Sequence, residues 1–304
     1  MAEPKESSRK REKTMLDQEP SSSNLISLFD EFVIDDSKKV GQKRGRVKAD
    51  ANVPKENVHS EIHPPSQWFS VYNTRKPMKQ RYHYNLNDAK LLQHIEKGIS
   101  DKLRISCVSC CSNLWAIIMD AETDYNAQVY KLSPLFLPKK WIMEQWSKNF
   151  YITSFAGSEN RDSVVVMSKG MRYTQQAYKI SRSFPKEWMN KKREQGFHVT
   201  SMGTAGNRWC IVVSRNTGFR DQVVELDFFY PSDVIQKRLD EGYMITATAA
   251  SLAQSAVILS IPRNKCGDET QETLVTPMFP SAHLKEKWPK NLYLSHLCNG
   301  PTVC

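Results

Sequence analysis

The stretch Pro185–Ser201, PKEWMNKKREQGFHVTS, contains a pattern that recurs through most of this chain. Its proline is followed eleven residues later by Gly196, then by an aromatic residue and a strand-like pair. Similar frames begin at Asn87, Pro138, Pro231 and Pro280. A period of this length is typical of repeat architectures. The aliphatic residues that open the strand of each frame lie 46 to 49 positions apart: Ile105, Ile152, Val199, Ile245 and Leu294.

Each frame predicts a short helix with a defined start and end. A proline follows an aromatic residue at the start, as in Phe184-Pro185, and proline suits the first helical turn because its missing N–H would have no partner there. Glycine or asparagine occupies one fixed position after the helix and favours the left-handed conformation that ends helices. These residues are Gly98, Asn149, Gly196, Gly242 and Asn291.

Three apolar, β-branched stretches follow each helix and predict strands. In the second repeat they are residues 151–155, 164–168 and 176–180, and in the third 198–202, 209–214 and 222–226. The middle stretch is almost continuously apolar, which predicts burial on both faces. The pattern therefore predicts a helix followed by a three-stranded meander.

The two ends of the repeat region complement each other. The last copy stops where its middle strand should begin, whereas residues 68–73 and 80–84 resemble a middle and an outer strand without a helix. Closure of a ring removes exposed sheet edges. We therefore predict a mainly β fold: a closed, β-propeller-like ring of five repeats, three-stranded units each with a short helix, whose last blade is completed by both termini.

The first 65 residues differ in composition from the rest. They contain 12 basic and 12 acidic residues, so the chain's net charge of +10 falls on residues 66–304. Low apolar content predicts a disordered tail over 1–65, interrupted by an amphipathic segment at 24–34, before a five-repeat domain at 66–304. A basic cluster in this tail is interpreted as a nuclear localisation signal, as a nucleic-acid tether or as an ordinary solvated charge run: Lys38, Lys39, Lys43, Arg44 and Arg46.

Composition also limits the class of protein. The chain has no apolar run long enough to span a membrane and no apolar core of a signal peptide near its start. Seven cysteines in 304 residues do not suggest a secreted disulfide scaffold. We expect a monomeric intracellular protein, either nuclear or cytoplasmic.

Two basic stretches are the best binding candidates in the repeat region. A basic surface favours acidic partners, so we expect an acidic or phosphorylated protein, with nucleic acid as the alternative. Aromatic residues beside the first stretch, Trp68 and Tyr82, could stack on bases, although their position also suits core packing. The candidates are Arg75, Lys76, Lys79 and Arg81 in the first stretch and Lys191, Lys192 and Arg193 in the second.

Hydroxyl residues recur in the first strand of every unit. In a ring these strands surround the axis, where hydroxyls could bind a phosphate, a small polar ligand or a substrate. Alternatively, they suit strands and satisfy buried backbone groups. The residues are Ser106, Thr153, Thr200, Thr246 and Ser295.

Motifs for catalysis or metal binding are missing from the sequence. Cys107-x-x-Cys110 has half of a zinc-site spacing, but no second pair completes it, so structural thiols are the favoured interpretation. There is no phosphate-binding G-x-x-x-x-G-K-[ST], G-x-S-x-G or H-E-x-x-H motif. We expect no catalytic residues, no cofactor and no metal.

Several long stretches resemble one family. Gln67–Asn85, QWFSVYNTRKPMKQRYHYN, and His94–Gly98, HIEKG, resemble the region beyond the catalytic domain of plant casein kinase I-like serine/threonine kinases. The likeness extends upstream to residues 25–30, LISLFD, and 40–46, VGQKRGR. It also includes Trp141–Trp146, Phe197–Ser201, Gln222–Asp227 and Asp268–Leu274.

The resemblance does not extend to catalysis. A kinase needs a glycine-rich loop, a strand lysine, an H-R-D loop and a D-F-G site, and none of these is present. The 65 residues before the repeats could not contain a kinase fold. The resemblance therefore implies the non-catalytic accessory module of such kinases.

Overall fold

The repeating unit of this protein is an outer strand, a short helix and a hairpin of two further strands. The computed structural model describes residues 66–121, 123–228, 231–264 and 267–301. Five helices lie in these residues: α1 (Asp88–Ser100), α2 (Lys139–Trp146), α3 (Lys186–Glu194), α4 (Ser232–Asp240) and α5 (Ser281–Lys287). The strands are β1 (Ser66–Thr74), β2 (Gln80–Leu86), β3 (Arg104–Cys111), β4 (Leu114–Asp120), β5 (Ala127–Ser133), β6 (Tyr151–Gly157), β7 (Ser163–Lys169), β8 (Gln176–Ser181), β9 (Phe197–Ala205), β10 (Arg208–Arg215), β11 (Phe219–Asp227), β12 (Met244–Ala250), β13 (Ser255–Pro262), β14 (Gln271–Thr276) and β15 (Leu292–Pro301).

Three predictions concern residues outside the described ranges. These are the disordered tail at 1–65, the amphipathic segment at 24–34 and the basic cluster that includes Lys38, Lys39, Lys43, Arg44 and Arg46.

The strands form five three-stranded antiparallel sheets, which confirms a mainly β fold. Listed from outer to inner strand, the sheets are β2-β4-β3, β5-β7-β6, β8-β10-β9, β11-β13-β12 and β14-β1-β15. The predicted three-stranded meander is wrong, because the third strand of each predicted unit joins the next sheet. The reason is edge availability: β7 already pairs with β6 and β5, so β8 pairs with β10 instead.

One sheet joins the two ends of the described chain. β1 lies between β14 and β15, with Trp68 opposite Thr276 on one side and Ser66 opposite Pro301 on the other. The N-terminal part supplies one strand to this sheet, whereas the sequence predicted two. The other expected strand, β2, is the outer strand of the next sheet.

The middle strands are buried on both faces, as predicted. Val164, Val165 and Val166 of β7 are fully buried, and so is Ile258 of β13. Each inner strand then packs beside two others: β3 contacts β6, β6 contacts β9, β9 contacts β12, β12 contacts β15, and β15 contacts β3.

The apolar core is divided among the spaces between neighbouring sheets. Val71 of β1 belongs to a cluster with Leu259 of β13. Trp68, also on β1, belongs to a different cluster with Ile118 of β4. Burial of these side chains stabilises each sheet only when its neighbours are in place, at about 1.5–3 kcal/mol per large apolar residue.

The predicted helix starts agree with the structure. Pro185 lies directly before α3, and its carbonyl accepts the hydrogen bond of Met189 N at 3.0 Å. The same bond, also at 3.0 Å, joins Pro138 to Ile142, Pro231 to Ile235 and Pro280 to Leu284.

Four of the five predicted left-handed positions have positive φ, but Gly98 does not. The values are 61° at Asn149, 82° at Gly196, 86° at Gly242 and 59° at Asn291. Gly98 is a buried residue inside α1, which is longer than the other helices. A Cβ at Gly98 would lie 2.3 Å from the sulfur of Met119, so this glycine permits close packing of α1 on β4.

None of the helices in the described ranges is long and apolar enough to cross a membrane.

Candidate functional site

Five glutamine side chains connect neighbouring sheets. Each glutamine lies on the outer strand of one sheet and bonds to the inner strand of the neighbouring sheet. Gln222 of β11 accepts a hydrogen bond from Val199 N of β9 at 2.7 Å and donates to Val199 O at 3.0 Å. Its amide also donates to Ser260 Oγ at 2.9 Å. We call this arrangement a glutamine bridge. The other four bridges join Gln80 to Leu294, Gln128 to Ile105, Gln176 to Ile152 and Gln271 to Ile245.

The glutamine bridges were missed by the sequence reasoning. Their inner-strand partners are the five aligned aliphatic residues, and the glutamines themselves lie 46 to 49 positions apart. This second period was the signal available in the sequence. The bridge from Gln80 to Leu294 connects β2 to β15, which belong to different sheets.

The five predicted hydroxyl residues occupy equivalent positions, each at a β-bulge of an inner strand. The pairing skips Thr200 between β9 and β10, and likewise Ser106, Thr153, Thr246 and Ser295 in their strands. Such an extra residue leaves the hydrogen-bond ladder and can be aimed at a site.

The bulge hydroxyls bond to the middle strands. Thr200 lies 2.8 Å from Ser214 Oγ, and Thr246 lies 2.7 Å from Ser260 Oγ. Ser295 donates to the carbonyl of Val71 at 3.0 Å. These contacts support the alternative that the hydroxyls stabilise the strands, although the same residues line a cavity.

Two neighbouring cavities lie among the inner strands. The smaller, about 90 Å³, is lined by residues from all five inner strands. The larger, about 420 Å³, we call the chamber. The five bulge residues line both cavities, and the chamber is lined further by Arg75, Asp120, Tyr125, Tyr173 and His296.

Charge in the chamber is unevenly distributed. Arg75 is exposed, whereas Asp120 is 1% exposed and accepts a hydrogen bond from Gln80 Nε2 at 2.8 Å. Burial raises the pKa of Asp120, and the Gln80 bond and the Arg75 charge partly oppose that rise. Burial also raises the pKa of Tyr125 and of Tyr173, so both phenols are protonated at neutral pH.

His296 is the histidine in the chamber lining described above. The residue is half-buried. Burial, with a smaller contribution from the Arg75 charge, lowers its pKa to about 4. The imidazole is therefore neutral at physiological pH and offers one N–H donor.

His296 should make the domain less stable in mild acid. The unfolded chain protonates this imidazole near pH 6.5 and the folded chain only near pH 4, so the unfolded state binds more protons between these values. Its stabilising contribution is complete above pH 6.5 and is lost as pH falls towards 4. Urea unfolding at several pH values should show that the free energy of unfolding depends less steeply on pH in His296→Gln than in the wild type. Parallel curves of unfolding free energy against pH for the two proteins would contradict this prediction. The difference in unfolding free energy between the wild type and His296→Gln at pH 8 serves as the reference.

The first basic stretch is only partly available to a ligand. Lys76 and Lys79 are exposed and form no ion pair with any residue that the structure describes. Arg81 instead forms an ion pair with Asp101, and this hydrogen bond is the main cause that lowers the pKa of that carboxyl. Arg75 lines the chamber. The loop between β1 and β2 therefore presents three exposed cations, of which Arg75 lines the chamber.

The second basic stretch is not a continuous surface patch. Lys191 is exposed, but Lys192 is 4% exposed, with its amine 5.5 Å from the centre of the Phe197 ring. Arg193 lies 3.2 Å from Asp221, which compensates its charge. Consecutive helical residues point in directions about 100° apart, which separates these three side chains.

The cysteine pair lies in β3 and has the character of structural thiols. Burial is the main cause that raises the pKa of Cys107 and of Cys110 to about 12, so both thiols are protonated at neutral pH. Among the described residues, no group of three or more His, Cys, Asp or Glu side chains could hold a metal ion.

Comparison with known proteins places the chain in a family. A family model described as a domain of unknown function, DUF7477, matches residues 38–304. The chain belongs to the DUF7477 family. A curated relative from rice, Oryza sativa subsp. japonica, is named casein kinase 1-like protein HD16 and is 59% identical over 300 residues.

The match to the rice relative covers 95% of this chain but only 42% of the relative's length. The matching family model is a domain of unknown function and not a kinase domain. The predicted resemblance is therefore confirmed: this chain corresponds to a region of a casein kinase 1-like protein outside the kinase domain.

Proposed function

We propose that residues 66–304 form a closed, five-bladed β-propeller, separate from the tail at 1–65. Two observations support closure. The inner strands contact one another in a cyclic series that includes β15 with β3. The Gln80 bridge connects β2 to β15 with the geometry found at the other four sheet boundaries.

We propose that the domain is a non-catalytic interaction module that binds an acidic or phosphorylated protein. The observation that carries this proposal is the loop between β1 and β2, where Arg75, Lys76 and Lys79 are exposed and have no ion-pair partner within the described ranges. Uncompensated surface cations attract anionic partners and accelerate their association. The relation to a casein kinase 1-like protein supports an accessory role beside a kinase.

The proposed module is monomeric and nuclear or cytoplasmic, and acts without a cofactor. The absence of kinase motifs from the sequence supports a non-enzymatic role. The basic residues at 38–46 support a nuclear location.

Reversal of the loop charges tests the proposed function. We expect Lys76→Glu/Lys79→Glu to weaken binding of a fluorescent Asp/Glu-rich peptide at least about tenfold, because like charges replace attractive ones. The measurement is fluorescence anisotropy with the full chain. The matched control is Lys90→Glu/Lys186→Glu, two exposed lysines outside the loop between β1 and β2.

Two outcomes would contradict the proposal. One is equal affinity of the two double variants, which would exclude the loop as the binding surface. The other is stronger binding to single-stranded RNA or DNA, with affinity that falls steeply with salt, which would favour the nucleic-acid alternative.

A further inference from the structure

The chamber wall carries hydrogen-bond donors that its own contacts leave unused. Arg75 forms no ion pair with a described residue, and neither Tyr125 nor Tyr173 donates its phenolic hydrogen to one. All three side chains line the chamber. Arg75 is close enough to influence the pKa of Asp120, Tyr125 and His296, so its guanidinium is within electrostatic range of the whole wall.

We propose that the chamber binds a phosphate monoester, with Arg75 as its charged donor and Tyr125 and Tyr173 as neutral donors. The phosphate belongs either to a phosphorylated side chain of a protein partner or to a free phosphorylated small molecule. In the first case the inference rests on the proposed function, since it names the group that the partner inserts.

The donor set favours a phosphate over other ligands. A phosphate monoester presents three acceptor oxygens and about two negative charges, and the planar guanidinium fits two of those oxygens at once. A carboxylate has two oxygens and would use fewer of the donors. A cation is disfavoured because Arg75 repels it.

The size and shape of the cavity are consistent with this ligand. The chamber of about 420 Å³ accommodates a phosphorylated serine side chain with neighbouring backbone, whereas the neighbouring cavity holds only about 90 Å³. Two carboxyl groups, Asp120 and Asp124, also line the chamber. Burial raises the pKa of Asp120 and so favours its neutral form, and Asp124 is exposed, so solvent and salt screen its repulsion of an anion.

Calorimetric titration of the full chain tests the inference. The probes are a phosphoserine peptide, the same peptide with serine, free O-phosphoserine and inorganic phosphate. We expect Arg75→Gln to weaken phosphate-dependent binding about 10- to 100-fold, since a charged hydrogen-bond donor is removed. Arg182→Gln is the matched control, because Arg182 is exposed and does not line the chamber.

A second variant tests the neutral donors. We expect Tyr125→Phe/Tyr173→Phe to weaken binding roughly 2- to 10-fold per hydroxyl, whereas Tyr84→Phe, outside the chamber, leaves it unchanged. Thermal unfolding of each variant is the control that shows whether it still folds. Glutamine at position 75 keeps the backbone N–H that donates to Asn291 O at 3.0 Å, so the local structure should persist.

The probes separate the two sources of phosphate. Arg75-dependent binding of the phosphopeptide alone identifies a protein partner, and equal binding of O-phosphoserine identifies a small molecule. No phosphate-dependent binding at millimolar concentration, or binding that Arg75→Gln does not change, overturns the inference. If the acidic peptide still depends on Lys76 and Lys79 in that case, the proposed function stands alone; if it does not, both fail.

Discussion

Deletion of residues 292–304 is expected to abolish cooperative folding of the whole domain. The deletion removes β15, which pairs with β1 from Thr74–Leu292 to Ser66–Pro301 and so joins the two ends of the described chain. It also removes three almost fully buried leucines: Leu292, Leu294 and Leu297. Loss of each costs about 2–5 kcal/mol, so their sum is comparable with the 5–15 kcal/mol stability of a typical domain.

Other losses add to the effect of this deletion. Gln80 loses the Leu294 backbone to which it bonds, and the inner strands β3 and β12 lose a neighbour. The edge of β1 becomes unpaired, which favours aggregation. Circular dichroism during heating should show a broad, weak transition. The control is a chain that ends at Pro301. A sharp transition of undiminished amplitude in the 292–304 deletion would refute the closed ring.

Replacement of Gln222 with leucine is expected to destabilise the domain strongly for a change at a single polar residue. It leaves the N–H and the carbonyl of Val199 without their side-chain partner, in a strand where Val199 is 2% exposed. A buried backbone group without a partner costs about 1–3 kcal/mol, so two cost roughly 2–6 kcal/mol. Ser260 loses its bond from Gln222 but keeps its hydrogen bond with Thr246, so this loss costs less than the two at Val199.

Urea unfolding measures this cost. Gln236→Leu is the control, because Gln236 is exposed on α4 and its loss should change stability by no more than about 0.5 kcal/mol. Gln80→Leu should lower the free energy of unfolding about as much as Gln222→Leu does. This holds if the boundary between the β2-β4-β3 and β14-β1-β15 sheets resembles the other boundaries. A midpoint for Gln222→Leu that matches the Gln236→Leu control would show that the bridges contribute little stability.

The repeat unit was predictable because its signals are local. Three features depend only on neighbours close in sequence. They are the helix starts at proline, the left-handed helix ends such as Gly196, and the buried middle strands such as β7. Propensity, burial pattern and backbone conformation therefore determined the elements and their order. Gly98 departed from the pattern because α1 continues to Ser100, and the positive φ that follows this helix occurs at Lys102.

The site was less predictable because it depends on which distant groups meet. The sequence pointed to five hydroxyl residues and to Arg75, which all line one chamber, but it treated Lys192 as a surface cation. Tyr125 and Tyr173 lie in loops and were missed, although each stands three residues before a bridging glutamine and the two are 48 positions apart.

The sequence by itself determined the mainly β repeat, its period and the match between the chain's two ends. Only the tertiary structure decided which sheet receives each outer strand and how neighbouring sheets are joined. Strand pairing is decided by the edge that remains free, as β8 shows when it pairs with β10. The glutamine bridges connect polar groups as far apart in sequence as Gln80 and Leu294. Such contacts leave no trace in local hydrophobic periodicity, because they arise only when the sheets pack together.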